Sequence, residues 1–295
     1  MSDDALERFK EQVLKDGPRM GPLDRFQFAC HPGVDCFNHC CHDVNILLTP
    51  YDVIRLKNRL EMSSEDFLDR HCVVPFSQNL KYPVVLLKMS DDDALSCPFL
   101  DEMAGCTVYS DRPWSCRMYP VGRAAPPPER ESAPPAGASG ASDQSDQCAA
   151  PFYFLVKEDF CHGWAAPDAR DWSIAQWLDS QGAAEYDAAS RGFQEIAQHP
   201  RLQEEQALGP AEMDMLFMVC YDLDRFRRFV FSTKFLKKFD VAPETVEAMR
   251  SDDMALMEFG FQWVCFALWR EPTVAIRPEV AAAMKSALEV ERRGR

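Results

Sequence analysis

Apolar positions recur along the chain with a helical period in most segments and a strand period in a few. Leu6, Phe9, Val13 and Leu14 predict a short amphipathic helix over residues 3–16, stopped by Gly17 and Pro18. Residues 26–48 show no period and end in the apolar run Val44 to Leu48. Thr49-Pro50-Tyr51-Asp52 is a strong helix start. Thr49 can cap it, Pro50 suits the first turn, and Asp52 favours the positive end, so a helix is expected to about Leu60. Ser63 opens a second short helix with Phe67 and Leu68 inward, and Val84 to Met89 and Phe152 to Val156 read as strands. Residues 97–120 are turn-rich.

The second half is mostly helical. Helices are expected over about 173–198, 211–239 and 253–269, with a fourth starting at Pro278. Leu216, Val219, Cys220, Leu223, Phe226 and Val230 form a stripe at helical spacing, which is a core-facing pattern. Arg225, Arg227, Arg228, Lys234, Lys237 and Lys238 then read as its solvated face. Residues 124–147 are rich in Pro, Ala, Gly and Ser and nearly free of large apolar residues, the composition of a disordered loop. No internal repeat stands out.

Composition narrows the function. The 295 residues are 46% hydrophobic, enough for a sizeable core without covalent staples. The net charge of −15 makes nucleic acid and anionic membrane poor partners. The most apolar stretch, Phe259 to Trp269, is too short to cross a bilayer, and Ser2 to Lys15 lacks the apolar core of a secretory signal. The expected location is therefore cytoplasmic, and the expected partner is a protein or small molecule.

Twelve cysteines in a reducing compartment point to metal or redox chemistry rather than disulfides. Cys30, Cys36, Cys40 and Cys41 form one group, Cys97, Cys106 and Cys116 a second, and Cys161 follows the loop. Thiolate is a soft ligand that selects zinc, Cu(I) or iron–sulfur clusters, and four suffice for one zinc or one common cluster. Eight exceed that need, so either two metals bind or some thiols assist. There is no C-x-x-C knuckle, and Cys40–Cys41 are adjacent, an arrangement that more easily serves two metals, or one ligand and one neighbour, than a single ion. Cys72, Cys220 and Cys265 read as small core hydrophobes, while Cys148 stands at the loop edge.

The first group, with C-F-N-x-C-C followed by L-T-P-Y-D-V-I-R-L-K, and the second, C-P-F-L…G-C-T-V-Y-S-D-R-P-W-S-C-R-M-Y-P, together resemble the YkgJ-like cysteine cluster family of zinc- or iron-chelating domains. The likeness is strong over residues 26–122 and extends through Cys161-His162-Gly163 toward Trp177 and Tyr186. It implies a metal site of Cys36, Cys40, Cys41, Cys97, Cys106 and Cys116, with Cys30 and Cys161 added. One departure is that five residues, rather than two, separate Cys30 from Cys36. The family is similar through its cysteine motifs to flagellin lysine N-methylases, but no glycine-rich cofactor loop here supports that activity.

Arg112 and Arg117 flank Cys116 and can either offset an anionic cluster or satisfy turn carbonyls. Tyr109 and Tyr119 read as packing residues. His31, His39, His42, His71 and His162 lie near cysteines in sequence, with His42 and His162 the better ligand candidates. The expected fold is mainly α with short strands, an irregular cysteine-rich metal-binding N-terminal region packed against a helical C-terminal region. Residues 1–123 form the cysteine-cluster domain, 124–149 the loop, 150–182 the completion of that domain, and 183–295 the helical region. The expected cofactor is an iron–sulfur cluster of the 4Fe-4S type, or zinc. The excess of thiols, the missing knuckles and the two arginines favour the cluster.

Overall fold

The computed structural model describes residues 18–75, 80–101, 103–124, 152–203 and 208–283. The helix expected over 3–16, the loop over 124–147 and Cys148 lie outside those residues, apart from Ala124 itself. In chain order, strand β1 (Arg25–Phe28) leads into turns and a 3₁₀ turn at His39–Cys41. Strand β2 (Leu47–Leu48), helices α1 (Pro50–Arg59) and α2 (Ser64–His71), and strands β3 (Cys72–Val73) and β4 (Val85–Leu87) follow. Then come β5 (Leu100–Asp101), β6 (Gly105–Cys106), helix α3 (Trp114–Met118), β7 (Val121–Ala124), β8 (Phe152–Leu155) and β9 (Arg170–Ser173).

The sheets are small and antiparallel. Strand β4 lies between β2 and β3, β5 pairs with β6, and β7 pairs with β8. Strand β1 pairs with β9 in the register Arg25↔Ser173 to Phe28↔Arg170, which ties the start of the described chain to residues far along it. Helix α1 begins where the sequence predicts, because the Thr49 hydroxyl accepts the Asp52 N–H and the Asp52 carboxylate accepts the Thr49 N–H. Ser63 caps α2 in the same way, accepting from the Asp66 N–H.

Two of the long helices expected from periodicity are broken. The stretch 173–198 is three helices, α4 (Ile174–Ser180), α5 (Ala183–Ala189) and α6 (Arg191–Ala197). Gly182, at φ 65°, breaks the first junction, a backbone that glycine adopts without a Cβ penalty. The stretch 211–239 is also divided. After α7 (Pro200–Gln203) come α8 (Pro210–Cys220) and α9 (Leu223–Ser232), and the rest is a 3₁₀ turn and strand β10 (Phe239–Asp240). Asp222 makes the break, since its carboxylate accepts the Arg225 N–H and caps α9. The apolar stripe continued across this junction, so the pattern alone did not reveal it.

Helix α10 (Pro243–Ala248) precedes α11 (Asp253–Trp269), whose limits match expectation. Strand β11 (Ala275–Ile276) pairs with β10, and residues 278–283 are helical from Pro278 onward. No helix among the described residues is long and apolar enough to cross a membrane.

Two apolar cores result. The larger joins Leu48, Leu56, Phe67 and Val85 with Leu216, Val219, Cys220, Phe226, Met257 and Val264. The smaller is aromatic and gathers Phe26, Phe28, Met118, Ile174 and Trp177. Phe28 meets Trp177 edge-on at 5.5 Å between ring centres, a favoured aromatic geometry. Cys72 and Cys220 are buried, and Cys265 packs against the larger core, as expected of small hydrophobes.

Candidate metal centre

Of the eight clustered cysteines, three pack against the two cores. Cys97 and Cys106 pack against the larger one and Cys161 against the smaller. Local structure explains how they arrive there. The turns after β1 carry Cys30 and Cys36, and the 3₁₀ turn His39–Cys41 carries the adjacent pair after Asn38, which holds φ 68°. The Cys97 N–H donates to the Cys41 carbonyl at 2.8 Å, so the two sequence groups are joined through backbone. Strand pairing sets Leu100 opposite Cys106. Asp52, fully buried, accepts the Trp114 N–H at 2.8 Å and thereby fixes the start of α3, which presents Cys116.

Cys161 comes from beyond the loop. It sits in a cavity also lined by Cys30, Cys36, Asn38, Cys40 and Tyr119. The His162 N–H donates to the Cys36 sulfur at 3.1 Å. The Tyr119 hydroxyl is buried with no hydrogen bond closed, and the group it faces is the Cys161 thiol. A backbone donor aimed at sulfur and an orphaned hydroxyl beside sulfur both suit thiolates carrying metal, whose charge such donors offset. The all-sulfur donor set fits zinc or an iron–sulfur cluster.

The electrostatics follow from crowding. Burial pushes the Cys30 thiol up to about 11, with Cys40, Cys161 and Cys36 adding repulsion. Burial likewise raises Cys97, Cys106, Cys116 and Cys161. Cys116 is densely surrounded yet keeps an exposed face. Between the adjacent thiols, Cys41 donates to Cys40, which lowers Cys40 and raises Cys41. Without a cation most of these groups stay protonated, and a bound metal would reverse that by stabilising every thiolate. Among the described residues, no three His, Cys, Asp or Glu side chains stand close enough to grip a single ion.

The arginines divide the two roles expected of them. Arg117 is buried and satisfies backbone, donating to the carbonyls of Arg112, Ser110 and Gln181 and to the Tyr186 hydroxyl. Arg112 donates to the Tyr109 carbonyl and to Gln181 Oε1, and its charge also bears on Cys116, Cys106 and Cys30. It therefore does both. Tyr109 is exposed with the Arg112 guanidinium 4.0 Å over its ring.

The histidines turn to other partners. His31 pairs with Asp168, His42 with Ser96 and His162 with Asp35, while His39 packs on Phe160 and His71 on Phe99. Of the described histidines, His162 reaches a cysteine sulfur, and it does so through its backbone N–H. That contact, and the carboxylate of Asp52 under α3, were not legible in the sequence as parts of the site. Asp52 was visible only as a helix-start residue.

No curated protein and no solved structure matches the chain. Residues 29–149, which include Cys30 through Cys116 and stop short of Cys161, match the CxxCxxCC family model, described as "Putative zinc- or iron-chelating domain".

Proposed function

We propose that the chain is a thiolate metal protein whose cysteines hold an iron–sulfur cluster and serve a redox step, either electron transfer to a protein partner or chemistry on a small molecule. One observation carries the reading. Cys30, Cys36, Cys40 and Cys161 line one cavity, yet among the described residues no three donors are spaced for a single ion. A cluster spreads its four thiolates over different irons, so it tolerates that wider spacing. The cluster would supply one-electron chemistry. Around it, Arg112 offsets negative charge, the His162 N–H and the Tyr119 hydroxyl offer hydrogen bonds to sulfur, and Phe28 and Phe160 exclude water.

A second reading is a zinc site that staples irregular loops. The cavity lined by Cys30, Cys36, Cys40 and Cys161 favours it, because it gathers four thiols from separate parts of the chain. Elemental analysis with an absorption spectrum, on protein purified without oxygen, separates the two. Iron with acid-labile sulfide and a broad visible band is the expected result. Colourless protein with stoichiometric zinc would replace the redox reading by the structural one.

A further inference from the structure

We infer that the cavity between α8, α9 and α11 binds a small apolar molecule carrying one carboxylate, such as a medium-chain fatty acid. No cysteine lines this cavity, so the site stands whether or not the chain holds metal.

Two helix faces build it. On α9, Arg225, Arg228, Phe229 and Ser232 recur at three- and four-residue spacing and share one face. On α8, Asp214, Met215 and Met218 do the same. The chain breaks at Asp222 between these helices, and Arg225 reaches back to Asp214 with hydrogen bonds of 2.9 and 2.7 Å. Trp263 of α11 lines the space from beneath. The volume is about 640 Å³, within the roughly 300–1,000 Å³ of small-molecule sites. Its deeper surface is apolar: Met218 and Trp263 are buried, and Met215 and Phe229 are half-buried. The Phe229 and Trp263 rings stand 5.3 Å apart. Thioether and aromatic surface of this kind adapts to a flexible aliphatic chain.

The rim selects the head group. Asp214, Arg228, Ser232 and Thr233 are exposed there. Both oxygens of Asp214 are taken by Arg225, so this carboxylate has its cation already. Arg228 is different. It spends Nη2 on Glu65 at 2.7 Å and makes no other side-chain hydrogen bond among the described contacts. Its remaining N–H donors form an open edge, and a guanidinium edge matches a carboxylate in two parallel hydrogen bonds. An ammonium head group would meet that cation unmatched, and an alcohol would leave part of the edge unused. A carboxylate at Arg228, with its aliphatic chain laid over Met215, Met218, Phe229 and Trp263, satisfies both halves of the cavity.

The test is an NMR titration of the full-length protein, labelled at its methionine methyl groups, with decanoate below its micellar concentration and in parallel with decan-1-ol. Met215→Gln and Met218→Leu assign the two methyl signals. Decanoate is expected to saturate while moving both, and to bind roughly tenfold more tightly than decan-1-ol, the worth of a charged hydrogen-bonding partner. Arg228→Gln is expected to weaken decanoate by about the same factor and to leave decan-1-ol unchanged. Equal affinity for the two probes overturns the inference. So does an Arg228→Gln variant that binds decanoate as the wild type does, or a titration in which the Met215 and Met218 signals stay fixed. Arg228 is exposed, so the variant should fold. If it does not, the ratio of the two probes on the wild type decides.

Discussion

At the residue scale, the cysteines were legible because chemistry-bearing residues crowd sequence that has no apolar period. What supports them was not legible, because it depends on contacts across long sequence separations. Asp52 is the main case. It accepts the N–H groups of Thr49 and Trp114 and the Thr49 hydroxyl, so it caps α1 and anchors α3 at once. Asp52→Ala should cost roughly 1–3 kcal/mol for each donor left unpaired, measured by denaturant unfolding, and should lower metal content by loosening Cys116. Burial raises this carboxyl from 3.8 to about 6, so its contribution to stability is full below 3.8 and falls as pH rises through 6. The stability gap between wild type and variant is therefore expected to narrow as pH rises from 3.8 to 6 and to stay level above that.

At the scale of elements, single helices with strong caps were read correctly, and helices meeting end to end were not. Helix α11 is bounded by Asp252, whose carboxylate accepts two backbone N–H groups, and its limits were clear. Helices α8 and α9 share one apolar stripe, so only the cap at Asp222 separates them. The basic face expected of α9 is also less solvated than its charges suggested. Arg227 reaches Asp224 and Asp253, and Lys57 on α1 meets the same Asp253 at 2.7 Å with little exposure on either side.

Burial alone would raise Asp253, but hydrogen bonds from Arg227 and Lys57 hold it below its ordinary 3.8. The folded-state value is lowered, so the stabilisation is present above 3.8 and is lost as pH falls through that value and lower. Asp253→Ala leaves the Lys57 ammonium buried without its carboxylate and should cost about 3–5 kcal/mol near neutral pH. Unfolding midpoints across pH should show that difference shrinking under acid.

At the scale of the whole molecule, the family match and the physical unit have different limits. The match ends at 149, whereas β1 needs β9 as its partner, Arg117 needs the Gln181 carbonyl, and the cavity lined by Cys30, Cys36 and Cys40 is completed by Cys161. A fragment of residues 29–149 is expected to give a poorly dispersed NMR spectrum, and one of residues 18–203 a better dispersed one. A dispersed spectrum from the shorter piece would show that the later strands are dispensable.

The β7–β8 pair has one more consequence. It sets Ala124 opposite Phe152, so the two ends of the intervening 125–151 are held together. The cost of closing a chain segment grows only with the logarithm of its length, about 0.6 kcal/mol per doubling for a flexible one. Insertions and deletions there would be nearly free for the thiols on either side. The architecture gives evolution a place to vary the chain's length while the chemistry a few residues away stays in register.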